Sequence, residues 1–425
     1  MKKAKAEERN YIFPKGFLWG SASSAFQVEG GCAHHDFYDW ARQGRIKDGT
    51  SPIDAVRFWE YYRGDIALMR KMNHNAVRIG IEWARIEPSE GAFDDKTLAH
   101  YRAILGEMRK AKISPMVTLH HFANPMWLVR MGGWENPRAA EYYLRFVKKA
   151  VESLGDLVDI WNTINEPSVY AVAAYLFGEF PPGKKSFRLC LRVMDVLIEA
   201  HVRAYAAIHE IHDRKNWSGA RVGIAKHLRT FDPLHEKSLL DRAAARIMDR
   251  YFNNRYLEKI SAKGRTMDIL GINYYSGDLV KFPMKMLTRP DLPKNKLGWD
   301  IYPEGLYRDV KRYWDLYRLP IYITENGTCE DGDDIRPRYI LDHLYQLRRA
   351  IGEGVDIAGY YHWSTLDNFE LVDGLMSRFG LVHVDHDHPK RRRTIKPSGR
   401  MYGEIARSGG ITESIVRKYV PDWRP

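Results

Sequence analysis

Two kinds of apolar pattern alternate along the chain. Eight short runs, at residues 17–23, 75–81, 113–119, 158–164, 221–226, 267–273, 321–325 and 357–363, are dominated by apolar residues without strict alternation. Such runs fit strands buried on both faces. Between them lie longer segments with apolar residues three to four apart. In 55–72 these are Val56, Trp59, Tyr62, Ile66 and Met69, and 95–110, 138–154, 189–212, 237–260, 303–314 and 336–353 behave alike. That spacing lines one face of a helix. No Pro-rich or Gly/Ser-rich linker divides the 425 residues. Eight strands interleaved with helices in one undivided chain predict an α/β fold, a single (β/α)8 TIM barrel over residues 1–425. A doubly wound open sheet is the alternative. It usually has a Gly-rich first turn, and neither GxGxxG nor a P-loop occurs here.

In a barrel, chemistry collects at the C-terminal ends of the strands. The fourth run ends Asn162-Thr163-Ile164-Asn165-Glu166-Pro167, and the seventh ends Ile323-Thr324-Glu325-Asn326-Gly327. Each places a Glu beside an Asn at the lip, and strands four and seven face each other across an eight-strand ring. Two facing carboxyls equip a pocket for glycoside hydrolysis, one donating a proton and one attacking the anomeric carbon. A lone Glu there reads as an exposed loop residue; two, each hemmed by Asn and by Pro or Gly, do not. Other strand ends carry Gln27, Arg78, His120, His121, Asn273, Tyr274, Tyr275, Trp363 and, soon after, Glu370. An indole can stack on the apolar face of a sugar, and amide, imidazole and carboxyl groups can bond its hydroxyls.

Composition narrows the picture little. Lys and Arg number 66 against 54 Asp and Glu, a net charge of +12. The signs interleave, which argues against a nucleic-acid stripe. The one dense run, Lys390-Arg391-Arg392-Arg393, reads as a solvated turn. Cys32, Cys190 and Cys329 are an odd, scattered set that forms neither a disulfide framework nor a metal knuckle. The charged N-terminus lacks the apolar core of a signal peptide, and no stretch approaches the roughly 18 apolar residues of a membrane span. The expectation is a cytoplasmic protein without stable membrane insertion. His383, His386 and His388 match no common ligand spacing, so no metal is expected. Phe282, Met284 and Met286, with Lys281 and Lys285, form a basic apolar loop that either rims the pocket or packs over the barrel mouth.

With these motifs in place, the sequence resembles the family 1 glycoside hydrolases, the β-glucosidase and β-galactosidase family, and their archaeal members in particular. The resemblance runs from Phe13-Pro14-Lys15-Gly16-Phe17-Leu18-Trp19-Gly20, through the two Glu segments and Trp363-Ser364-Thr365-Leu366-Asp367-Asn368-Phe369-Glu370, to Arg378-Phe379-Gly380-Leu381. It implies a retaining β-glycosidase with Glu166 as acid/base and Glu325 as nucleophile. Asn165 would hold the sugar 2-hydroxyl, and Gln27, His121 and Glu370 the outer hydroxyls. Trp363 would be the stacking floor. Arg78, Asn273 and Tyr275 would support the nucleophile, Arg78 keeping it ionised while Glu166 stays protonated. No cofactor is implied, the partner is a small β-glycoside, and homo-oligomer formation is left open. Two positions depart from the family pattern: Leu371 and Phe122 stand where tryptophan is usual, which alters the first sugar subsite. A 6-phospho-β-glycosidase and a catalytically silent sugar-binding relative are the alternatives. Glu370 would repel a 6-phosphate, and the presence of both carboxyls opposes silence.

Overall fold

The computed structural model describes residues 10–425; the charged N-terminal stretch otherwise lies outside the described residues. All eight runs become strands: β1 (Leu18–Ala22), β2 (Ala76–Gly80), β3 (Ser114–His120), β4 (Ile160–Asn165), β5 (Arg221–Pro233), β6 (Leu270–Lys281), β7 (Ile321–Asn326) and β8 (Ile357–Trp363). Each pairs in parallel with its chain neighbours, and β8 pairs with β1, closing an eight-strand barrel. The buried faces on both sides of these strands explain their unbroken apolar runs.

Helices α1 (Phe58–Lys71), α2 (Asp95–Lys110), α3 (Ala139–Leu154), α4 (Phe187–Arg214), α5 (Leu239–Met248), α6 (Arg255–Ser261), α7 (Pro303–Tyr317) and α8 (Arg336–Gly352) fill the connections, and α9 (Pro397–Ser408) follows β8. Their ends are set locally. In α2 the Asp94 side chain accepts from Lys96 N at 2.9 Å, and Arg109 and Lys110 sit in the last turn, where they complement the helix dipole. The seam between the barrel and α3 is aromatic: Trp83 contacts Trp127, Trp134, Tyr143 and Phe146. Such residues contribute several kcal/mol each, about 3–5 for a Trp or Phe cut to Ala. Trp134 also donates its indole N–H to Asn124 at 2.7 Å, which fixes the loop after β3.

Four expectations change. First, β5 and β6 overrun the barrel. They remain paired from Leu228 opposite Tyr274 to Pro233 opposite Val280, with a bulge between Leu228 and Thr230. Second, β6 turns back into a short antiparallel strand, Lys285–Leu287. Phe282, Met284 and Met286 on this hairpin are 53%, 56% and 46% exposed, so they are not packed over the mouth. Third, segment 237–260 is helical as its spacing predicts, but its middle is wound more widely than an α-helix. The Asp249 carboxylate gathers the Asn253 and Asn254 amides, each at 2.8 Å, and Arg312 at 2.7 Å, and the wide turn at 249–254 joins α5 to α6. Fourth, the run 390–393 is not wholly solvated. Arg393 donates to Asp65 at 3.0 Å, and Asp65 is buried and needs a counter-charge. All three cysteines are free and buried. Among the described residues no helix is long and apolar enough to cross a membrane.

Candidate active site

The lip of β7 shows why Glu325 is followed by Asn and Gly. Asn326 donates to Tyr274 O at 2.7 Å and Tyr339 Oη at 2.8 Å, and accepts from Tyr360 Oη at 2.8 Å, tying β7 to both neighbouring strands and to α8. Gly327 runs against the end of β8: a Cβ there would lie 1.8 Å from the Trp363 carbonyl oxygen. Glu325 is thereby held in a buried position with both oxygens occupied. Arg78 of β2 donates to Oε1, and the Tyr275 hydroxyl donates to Oε2 at 2.7 Å. Arg78 is itself buried and fully engaged, with Nε on Thr118 at 3.0 Å, Nη1 on Thr324 O at 3.3 Å, and Nη2 on Asn165 Oδ1 at 2.6 Å.

Glu166 sits at the turn from β4 into the short helix Pro167–Val172. Its φ of 45° is left-handed, and Pro167 takes the first helical position, where a missing N–H costs nothing. Its backbone N–H donates to Ala225 O at 2.7 Å, which anchors the turn to β5. Side-chain Oε1 accepts from Asn273 Nδ2 at 2.8 Å and lies 3.0 Å from His227 Nδ1. Asn273 also donates to Asn165 Oδ1 at 3.1 Å, and its own oxygen accepts from Thr324. Asn273 therefore stands against Glu166, not against Glu325 as expected. Its strand pairs with that of Glu325, but its amide faces the other lip. One network joins the two carboxyls: Glu325, Arg78, Asn165, Asn273, Glu166.

The remaining expected residues gather on the opposite side. Asn165 Nδ2 donates to His121 Nε2 at 3.1 Å, which leaves the ring proton of His121 on Nδ1, a buried atom with no protein partner. The His121 ring stacks on Trp363 at 5.8 Å. Trp363 donates its indole N–H to Glu370 at 3.3 Å. Gln27 bonds Ser24, Asn368 and Phe369 O, holding the loop that carries Glu370. Leu371 and Phe122 both have left-handed backbones, φ 53° and 70°. Phe122 packs on Phe180 and Tyr170. Sequence singles out neither His227 nor Lys226: Lys226 is the last residue of the fifth run, and His227 lies just past it. Lys226 is buried, and its ammonium donates to His227 O.

Electrostatics make the two carboxyls unequal. Both are buried and oppose each other's ionisation, so the pair retains a proton near neutrality. At Glu325 burial raises the pKa, Arg78 pulls it down and the Glu166 charge raises it again, the balance lying at about 7. At Glu166 burial also raises the pKa, but His227 and Asn273 bring it below the ordinary value. This is the reverse of the expected order. The pull on Glu166 requires a positive His227, however, and burial lowers the pKa of that ring. A guanidinium is always charged. Once His227 is neutral, Arg78 bonds Glu325 directly and acts on Glu166 only from farther away, an arrangement that favours the shared proton on Glu166. At Glu370 burial pushes the carboxyl well above its ordinary range. Among the described residues no group of three or more His, Cys, Asp or Glu is arranged to hold a metal.

The family model for glycosyl hydrolase family 1 matches residues 9–270 and 261–411. Beta-glucosidase A of Thermotoga maritima is 33% identical over 449 residues, covering 94% of this chain and 99% of that protein. A beta-galactosidase of Sulfolobus acidocaldarius is 32% identical over 496 residues, covering 97% and 99%. Among solved structures, the beta-glycosidase from Pyrococcus horikoshii superposes with a TM-score of 0.90 at 33% identity, covering 97% of this chain and 98% of that one. The Thermotoga maritima beta-glucosidase in complex with glucoimidazole gives 0.88 at 31%, covering 94% and 100%. The closed parallel barrel, the paired lip carboxyls and these matches agree: the chain belongs to glycosyl hydrolase family 1 and is a β-glycosidase of that family.

Proposed function

We propose that the protein is a retaining exo-acting β-glycosidase for unphosphorylated β-glucosides and, alongside them, β-galactosides and β-fucosides. The observation that carries this reading is the unequal clamping of two buried carboxyls. Glu325 has a charged donor on one oxygen and a hydroxyl donor on the other, so it is aimed and ionised for attack. Glu166 has neutral donors on a single oxygen, which suits a group that must give a proton and take it back. Glu166 protonates the departing oxygen while Glu325 bonds the anomeric carbon. Water, deprotonated by Glu166, then releases the sugar with its configuration kept. A second sugar in place of that water gives transglycosylation.

Asn165 keeps one amide hydrogen for the 2-hydroxyl, since its other groups serve Arg78, Asn273 and His121. His121 Nδ1, Gln27 and Glu370 receive the outer hydroxyls above the Trp363 ring. The relatives' names include glucosidase, galactosidase and 6-phospho-beta-glucosidase; the reading for unphosphorylated sugars rests on Glu370, which when ionised repels a 6-phosphate. Leu371 and Phe122 make the subsite less polar than the usual tryptophans, so Leu371→Trp should change the ratio of kcat/KM among glucoside, galactoside and fucoside. We also place the protein in the cytoplasm, which suits its three free, buried thiols.

The test is a panel of aryl β-glucoside, galactoside, fucoside, mannoside and 6-phosphoglucoside substrates with wild type, Glu325→Gln and Glu166→Ala. Glu325→Gln should be nearly inactive. Glu166→Ala should recover turnover with azide on substrates with good leaving groups. Near wild-type turnover by Glu325→Gln would overturn the mechanism.

A further inference from the structure

His227 occupies a place in this site that the reaction scheme above leaves unused. It lies on β5 at the barrel lip, in register opposite Asn273 and just before the strand overruns the barrel. Nδ1 is 3.0 Å from Glu166 Oε1. The ring stacks on Tyr275 at 5.8 Å and 25°, and its edge meets Phe252 at 5.7 Å. Its backbone carbonyl is held by the Lys226 ammonium. The ring is thus fixed on two faces and along its main chain, as a group that must aim another would be.

The geometry fixes more than orientation. Asn273 Nδ2 can only donate, and it donates to the same Oε1 at 2.8 Å. With His227 neutral and its proton on Nδ1, Oε1 accepts two hydrogen bonds. When Glu166 is protonated, the oxygen that accepts both of these bonds is its carbonyl oxygen. The acidic hydrogen then belongs on Oε2, which has no donor among the described residues. We infer that His227 is a positioning residue for proton transfer: with Asn273 it pins Oε1 of Glu166 as an acceptor and directs the transferable proton to Oε2, toward the glycosidic oxygen. In the first step that proton passes from Oε2 to the leaving oxygen as the C–O bond breaks. In the second, Oε2 takes a proton from the attacking water. This inference rests on Glu166 being the acid/base.

The groups facing the pair are Arg78 of β2, Lys226 and Arg229 of β5, Tyr275 of β6 and Glu325 of β7. The experiment uses His227→Leu and His227→Asn with a series of aryl β-glucosides of graded leaving-group acidity, measured across pH. His227→Leu should lose roughly 10- to 100-fold in kcat/KM on phenyl glucosides, part of the 10²–10⁴ that a general acid supplies. It should stay within about 3-fold on a dinitrophenyl glucoside, whose departure needs no proton. Its basic limb should move to higher pH, because the Glu166 carboxylate loses a donor. His227→Asn retains an amide donor and should recover most of the phenyl-glucoside rate.

Equal losses on both leaving groups with an unmoved basic limb, or no loss at all, would overturn the inference. His227→Asn carries the test should His227→Leu fail to fold: if Asn falls equally on both substrates, the role is structural. Glu166→Ala in the same series separates the two readings. If it keeps its rate on phenyl glucosides, the acid assignment itself fails. If it loses that rate while His227→Leu does not, only the role of His227 fails.

Discussion

Tyr275→Phe isolates one bond to Glu325, the proposed nucleophile. The Tyr275 hydroxyl donates to Glu325 Oε2 at 2.7 Å inside a buried site. The ring has other duties, stacking on His227 at 5.8 Å and meeting Trp299 edge-on at 5.8 Å. Phenylalanine keeps both contacts and removes only the donor. A hydrogen bond to a charged acceptor is worth about 1.5–3 kcal/mol, and each 1.36 kcal/mol moves a pKa by one. The donor favours the ionised form, so its loss makes Glu325 easier to protonate. The acidic limb of kcat/KM should therefore rise by about 1–2 pH units. The assay is kcat/KM for an aryl β-glucoside from pH 4 to 9, with the fold checked by circular dichroism. The basic limb, which reports the acid, should move much less. An acidic limb unchanged within about 0.3 pH units would refute the claim that this hydroxyl holds Glu325 ionised. A fall in rate at all pH values without such movement would assign Tyr275 to substrate contact.

Three further outcomes follow from the same geometry. Gly327→Ala forces a methyl to within 1.8 Å of the Trp363 carbonyl; it should cost about 1–3 kcal/mol or more in a denaturant melt and also reduce activity, because the ends of β7 and β8 must part. Asp309 is buried, its Oδ2 lacks a partner, and burial raises its pKa from 3.8 to about 7. The folded state binds that proton more tightly than the unfolded chain does, so stability is lost as pH rises from about 4 to 7. Asp309→Asn should then raise Tm at pH 8, by the equivalent of up to about 4 kcal/mol, and leave it unchanged near pH 4; equal effects at both pH values would contradict this. Arg78→Met should nearly abolish turnover, since it leaves Glu325 without a charged partner and Asn165 without its 2.6 Å donor; active-site titration with a covalent fluoroglycoside would show whether attack has stopped.

The barrel was legible because its strands are buried on both faces, which leaves apolar runs that nothing else in a chain of this length needs. The lip carboxyls were legible because each lies at or just past the end of such a run and carries its own structural neighbours: Asn326 to tie strands together, Gly327 to clear Trp363, Pro167 to start a helix. What stayed hidden has one physical origin. Residues 227–233, His-Leu-Arg-Thr-Phe-Asp-Pro, are mostly polar, because β5 here leaves the barrel and packs by pairing with β6 and by ion pairs such as Arg229 with Asp278. Polarity of that kind reads as the end of a strand, and His227 therefore reads as loop. The orientation of Asn273 was hidden for a related reason. Its strand adjoins β7 on one side and β5 on the other, so sequence allows its amide to serve either carboxyl. Only the hydrogen-bond partners decide: Asn273 Oδ1 accepts from Thr324, which turns Nδ2 toward Asn165 and Glu166. The surroundings of Glu166 thus depend on two residues, His227 and Asn273, placed by strand pairing at the barrel lip and by one threonine hydroxyl on the strand of Glu325. Any change at Thr324 that frees the Asn273 amide to turn should disturb Glu166 before it disturbs Glu325, although Thr324 is the immediate neighbour of Glu325.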